Sequence, residues 1–161
     1  MMIVQKPEIE DLKKIHKILI QWTEKREADK YLKRISDEVN GQTKFNMQFW
    51  VAREKNQVFG VIGLADPLPK ILPLATTKKP GEVKILYVND KNQGKGIGKK
   101  LTLFLEEEAK KQGYQEMIVR SAERYKDTAW GFYDKMGYTR LGAVSGKEED
   151  RIMQVFGKRL D

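Results

Sequence analysis

The chain of 161 residues contains no cysteine. That removes disulfides, thiolate metal sites and any covalent mechanism through a cysteine nucleophile. Histidine is almost as scarce, with His16 the single example, so serine–histidine chemistry is not expected. His16 lies among Ile9, Leu12, Ile15, Leu19 and Trp22 at helical spacing, and reads as a solvated position beside a core face. Long apolar runs are missing as well. No stretch approaches the roughly 18 residues of a membrane span, and the start MMIVQKPEIEDL lacks the charged-then-apolar order of a signal peptide. A cytoplasmic protein is expected. Internal repeats and low-complexity tracts are absent.

What the chain has in excess is lysine. The net charge is +8, which favours anionic partners such as a phosphorylated cofactor, a nucleic acid or an acidic surface. The lysines alternate with Glu and Asp along helical stretches, which is the pattern of a solvated surface. An arginine-rich stripe interleaved with exposed aromatics, the better sign of nucleic-acid binding, is not found. At this length, with 40% hydrophobic residues, one core is expected and a single domain over 1–161.

Periodicity gives the order of elements. A short strand over 2–6 precedes a helix opened by Pro7, Glu8, Glu10 and Asp11 and running to about Trp22. A second helix covers about 28–39, with Leu32, Ile35 and Val39 on one face and Asn40-Gly41 closing it. Strands over 49–53 and 58–64 flank EKNQ, a hairpin signal. Residues 66–81, DPLPKILPLATTKKPG, carry four prolines and read as a long loop over one edge. EVKILYV over 82–88 is a strand, and QGKGIGKKL leads from it into a helix with Ile97, Leu101, Phe104, Leu105 and Ala109 on one side, capped at Gly113. A strand over 117–121 follows. Asp127 is positioned to cap a helix with Ala129, Phe132, Tyr133 and Met136 on one face, ended by Gly137. Strands over 138–144 and 152–157 flank the acidic SGKEED. The order β α α β β β α β α β β predicts a three-layer α/β (α+β) fold, a mixed sheet with helices on both faces.

QGKGIGKKL is the chemical centre of this pattern. Where a strand, a glycine turn and a helix start meet, unpaired backbone N–H groups and the positive end of the helix dipole converge on an anion. Gly94, Gly96 and Gly98 allow close approach of that anion to the backbone. Lys99 and Lys100 in the first turn oppose the dipole unless a bound anion reverses the local charge. A Walker loop would need Gly at Gln93 and Ser or Thr at Lys100, and the dinucleotide pattern would need Gly at Lys99. Both are excluded.

The pattern that fits is [QR]-x-x-G-x-[GA], met by Gln93, Gly96 and Gly98 after EVKILYV. Together with AWGFYDKMGY over 129–138, it resembles the GNAT family of acetyl-coenzyme A dependent N-acetyltransferases over about residues 81–142. The resemblance implies a mostly antiparallel central sheet. It also implies that Gln93, Gly94, Lys95, Gly96, Ile97, Gly98 and Lys99 hold the cofactor's pyrophosphate, and that the backbones of Leu86, Tyr87 and Val88 bind its pantetheine arm as an added strand. Tyr133 matches the tyrosine that gives a proton to the departing thiolate, and Glu82 falls where some members carry the carboxylate that deprotonates the amine. Lys126 stands where many members have an Asn touching the cofactor arm, and its ammonium could reach a phosphate instead.

The expected activity is therefore acetyl transfer from acetyl-CoA to a primary amine, a small metabolite or a peptide amine, in a ternary complex, with no metal. Glu24, Glu27, Glu148, Glu149 and Asp150 are candidates for recognising a cationic acceptor. The expected partners are acetyl-CoA and the amine, with no membrane and no nucleic acid; a homodimer is compatible with the sequence. The alternatives are a non-catalytic acyl-CoA sensor, which keeps the glycine loop without needing Tyr133, and a basic nucleic-acid-binding module.

Overall fold

A computed structural model describes residues 1–146 and 151–161. The strands are β1 (Ile3–Gln5), β2 (Gln48–Glu54), β3 (Gln57–Ala65), β4 (Pro80–Val88), β5 (Glu116–Ala122), β6 (Thr139–Ser145) and β7 (Ile152–Arg159). The helices are α1 (Leu12–Trp22), α2 (Lys25–Val39), α3 (Ile97–Lys111) and α4 (Ala129–Lys135). Their order along the chain is the expected one. They form a seven-stranded sheet in the order β1-β2-β3-β4-β5-β7-β6, mostly antiparallel, with β4 and β5 parallel. No helix among the described residues is long and apolar enough to cross a membrane.

The backbone divides into two compact units, residues 1–65 with 84–107 and residues 66–83 with 108–161. In the first, Ile15, Ile18 and Leu19 of α1 and Ala28 and Ile35 of α2 pack with Phe49, Val51, Val58 and Val61. Burying each of the larger side chains contributes about 1.5–3 kcal/mol. Strand alternation turns Trp50 the other way, edge-on to Phe104 at 5.9 Å. Gly63 is required by close approach, since a Cβ there would lie 2.5 Å from the Phe49 ring.

Several expectations change here. Residues Ile9–Asp11 form a 3-10 turn closed by a reciprocal Glu8/Asp11 capping box. With three residues per turn, Ile9 falls out of phase with α1 and is 65% exposed. Asp11 is buried and pairs with Arg53 of β2. His16 is not simply solvated, because its Nε2 lies 2.7 Å from Asp29 Oδ1 on α2. Helix α2 also starts three residues early, at Lys25, with Glu24 as its extended N-cap residue.

In the second unit, β5 pairs parallel with Pro80–Glu82 and antiparallel with β7, which pairs with β6. Pro80 opens β4, a position where a missing N–H is tolerated. The segment over 66–79 is not simply a loop. It forms a 3-10 turn at Pro69–Leu74 and buries Ile71 completely against Ile118 and Val155. Glu116, itself buried, fixes the segment by accepting hydrogen bonds of 2.8–2.9 Å from the backbone N–H and hydroxyl groups of Thr76 and Thr77. The sequence hid this because prolines mark irregular backbone, and irregular backbone can still carry core side chains. Asp127 does not cap α4 either; the N-cap residue is Thr128, with no side-chain cap.

Candidate active site

In the first unit, the chain leaves β4 through a 3-10 turn at Asp90–Asn92, capped by the Asn89 side chain, which accepts from the Lys91 N–H at 3.1 Å. Residues 93–96 then form an exposed loop before α3 begins at Ile97. Gly94 and Gly96 both have φ of +77°, the left-handed region that an L side chain adopts only at a cost. A Cβ built on either would meet nothing within 4 Å. The two glycines are therefore needed for backbone conformation, and the space beside them is open to a ligand. Gly98 lies inside the first turn of α3 without a positive φ. Ile97 is 4% exposed and anchors the helix start, while Lys95 and Lys99 are exposed. Lys100 is already engaged, its Nζ donating to the Met2 carbonyl at 2.8 Å.

The last residues of β4 are only half-buried, unlike the buried Pro80–Lys84 part of the strand. Between these parts Ile85 has φ of +50°. A β-branched residue in the left-handed region costs about 1–3 kcal/mol, and here it lies just before Leu86, Tyr87 and Val88. Nothing in the sequence signals this positive φ. The Val88 carbonyl accepts from Trp22 Nε1 at 2.8 Å and from Gln93 Nε2 at 3.1 Å. Trp22 and Gln93 thus lock the strand end onto the loop, and the Val88 carbonyl is occupied within the protein. Trp22 had the signal only of a core apolar residue.

Glu27 accepts a hydrogen bond from the Tyr31 hydroxyl, and the Tyr31 ring stacks on Tyr87 of β4 with centroids 6.2 Å apart. Glu24 is exposed. Glu148, Glu149 and Asp150 lie outside the described residues.

In the second unit, Tyr133 of α4 is 5% exposed. Its ring packs against Phe132, Tyr138 and Phe156 at centroid distances of 5.3, 5.6 and 5.4 Å. Among the described residues its hydroxyl has no hydrogen-bond partner. Among the described residues, the Tyr133 oxygen is not one of the fully buried side-chain polar atoms that lack a hydrogen bond, so it still reaches a surface. Burial raises the phenol pKa above its ordinary value near 10. The hydroxyl therefore keeps its proton at any physiological pH.

Glu82 is 1% exposed. Its Oε2 accepts from Arg120 Nε at 2.7 Å and its Oε1 from the Leu68 N–H at 3.3 Å. Arg120, on β5 and itself mostly buried, was not foreseen as its partner. Lys126 is exposed at the end of the 3-10 turn Glu123–Tyr125. No cluster of His, Cys, Asp and Glu among the described residues has the form of a metal site.

A parallel β4–β5 pair within a mostly antiparallel sheet, with a left-handed glycine loop between β4 and α3, defines an acetyltransferase fold of the GNAT type. The family model for the Acetyltransferase (GNAT) domain matches residues 18–153, and the chain belongs to that family. A curated relative, N-acetyltransferase 8B of Homo sapiens, is 30% identical over 94 residues, which are 58% of this chain and 39% of that protein. The chain thus spans about two fifths of that relative's length. A GNAT-family protein from Desulfovibrio desulfuricans shares the fold with a TM-score of 0.84 and 12% identity, each chain covered fully. The PaiA N-acetyltransferase of Thermoplasma acidophilum, solved in complex with coenzyme A, shares it with a TM-score of 0.67 and 19% identity over 99% of both chains.

Proposed function

We propose that residues 1–161 act as one acetyl-CoA dependent N-acetyltransferase domain that acetylates a primary amine in a ternary complex. The observation that carries this reading is the loop Gln93–Gly98. Two left-handed glycines with open space beside them precede a buried helix start, so the N–H groups beyond Gln93, whose own N–H donates to the Asp90 carbonyl, are placed to meet a pyrophosphate. Lys95 and Lys99 add positive charge there, and Lys126 adds a further ammonium for a phosphate. The half-buried Leu86–Val88 segment offers backbone groups to an extended pantetheine arm, with the Val88 carbonyl excepted because Trp22 and Gln93 occupy it.

Acetyl-CoA supplies the acetyl group as a thioester, so that a C–N bond forms as the C–S bond breaks. Tyr133 gives its hydroxyl proton to the departing sulfur. Three aromatic rings hold its ring, and no acceptor among the described residues competes for its proton. The amine must be neutral to attack, and Glu82 accepts its proton. Because Glu82 is buried and bound to Arg120, that transfer runs through a chain of water rather than by direct contact. Glu27, beside Tyr31 and Tyr87, favours an acceptor that carries a positive charge.

The reading is tested by release of coenzyme A thiol from acetyl-CoA with a panel of polyamines, amino acids, aminoglycosides and peptides. Amine-dependent release with at least one acceptor is expected. Tight coenzyme A binding with no release across the panel would instead identify a non-catalytic acyl-CoA sensor.

A further inference from the structure

The first compact unit contains a cavity of about 370 Å³ whose lining includes none of the residues Gln93–Lys99. Lys14 and Lys17 reach it from α1, Asn56 and Gln57 from the β2–β3 turn, and Lys91 and Asn92 from the segment after β4. No Asp or Glu among the described residues lines it. Two other lysines on this unit are matched by carboxylates, Lys6 by Glu38 and Lys33 by Asp37. Here Lys17 and Lys91 have no partner among the described residues, and Lys14 reaches only the Asn56 carbonyl. Like charges gathered without a counter-charge repel one another, and a bound anion reverses that cost.

The segments that carry these donors are also tied together before any ligand arrives. Lys14 and Lys17 share one face of α1 at i, i+3 spacing. One turn further on, Gln21 accepts from the Asp90 N–H at 2.9 Å and donates to Asn89 Oδ1 at 3.4 Å. That pair of bonds ties the segment carrying Lys91 and Asn92 to the helix carrying Lys14 and Lys17. Ammonium groups supply point charges, and carboxamides supply directed N–H donors, to acceptor oxygens. The volume is that of a small-molecule site.

We propose that this cavity binds the phosphate group of a small phosphorylated compound, separately from the acetyl donor and independently of the acetyltransferase reading. The test is calorimetric titration of inorganic pyrophosphate into the protein saturated with coenzyme A. The same titration of Gly96→Val, in which the glycine loop is disabled, gives a readout that needs no coenzyme A. One pyrophosphate site is expected in both, weakened at least tenfold in Lys14→Gln/Lys17→Gln and at least threefold in the single Lys17→Gln, whose exposed side chain has no structural contact to lose. Lys14→Arg/Lys17→Arg should retain binding, and coenzyme A affinity should stay within twofold in all three. Unchanged pyrophosphate affinity in the glutamine variants would overturn the proposal. So would loss of the site on saturation with coenzyme A, which would make the cavity part of the cofactor's own footprint. A parallel titration with phosphatidic acid vesicles separates the sources of phosphate: binding to vesicles without binding of pyrophosphate would overturn the small-molecule assignment.

Discussion

The loop at Gln93–Gly98 and the helix carrying Tyr133 use the chain in opposite ways. The loop is exposed over 93–96 and, on the proposed reading, acts through its backbone, with Gly94 and Gly96 in conformations that side chains resist and no atom within 4 Å of where a Cβ would stand. Tyr133 is buried to 5% exposure, is held by three rings and offers one oxygen. A backbone site spreads its effect over several N–H groups, so damage to it should appear as lost affinity. A site made of one hydroxyl should fail in turnover, with binding intact.

The largest expected effect breaks the second half of this comparison. Tyr133→Phe should lower kcat by about 10²-fold or more, the usual loss for a general acid. At neutral pH its thermal melt should match the parent's, because the hydroxyl has no partner among the described residues to lose. Parent-like turnover in steady-state assays would reduce Tyr133 to a packing residue. Next, Glu82→Gln should cost about 2 kcal/mol of stability in denaturant titration, since it leaves the Arg120 guanidinium without its counter-charge. Its rate should fall most near neutral pH and recover partly in alkaline buffer, where more of the amine is already neutral. A pH–rate profile superimposable on the parent's would confine Glu82 to holding Arg120 and Leu68.

Smaller effects sharpen the same contrast. Gly96→Val should lower kcat/KM for acetyl-CoA at least tenfold, equivalent to about 1.4 kcal/mol, while kcat at saturation stays near the parent's. The branched residue is strained at a φ of +77°. The smallest effect concerns alkaline stability. Burial raises the Tyr133 pKa in the folded protein above the value near 10 of the unfolded chain. The stability it contributes is then fully present below about pH 10 and is lost as pH rises from there toward the folded value. Between pH 10 and 11 that loss is about 1 kcal/mol. Tyr133→Phe should be spared this increment, which denaturant titrations of the two proteins at both pH values would detect.

Much of this contrast was legible in the sequence, for reasons that differ by residue. Glycine spacing between a strand and a helix start marked an open backbone turn, so the loop was legible, although the left-handed φ of Gly94 and Gly96 was not part of that reading and Gly98 lies in ordinary helix. Helical spacing found α1, yet it misplaced Ile9, because a 3-10 turn ahead of the helix shifts the phase. Ile85 could not be found, since a β-branched residue in a strand gives no sign of a positive φ. The Arg120–Glu82 pair and the grip of Glu116 on Thr76 and Thr77 join residues 38 to 40 positions apart. Local pattern is silent about such pairings. The run over 66–81 was misjudged for a related reason: four prolines reported its backbone correctly and concealed the burial of Ile71.

The division between holding and reacting is tested most directly by the dissociation constant of coenzyme A for Gly96→Val and Tyr133→Phe, measured side by side by calorimetry with the parent protein. The account predicts at least a tenfold increase for Gly96→Val and a change within twofold for Tyr133→Phe. Parent-like affinity in a folded Gly96→Val protein would contradict it, because the cofactor's phosphates would then be held somewhere other than the loop Gln93–Gly98.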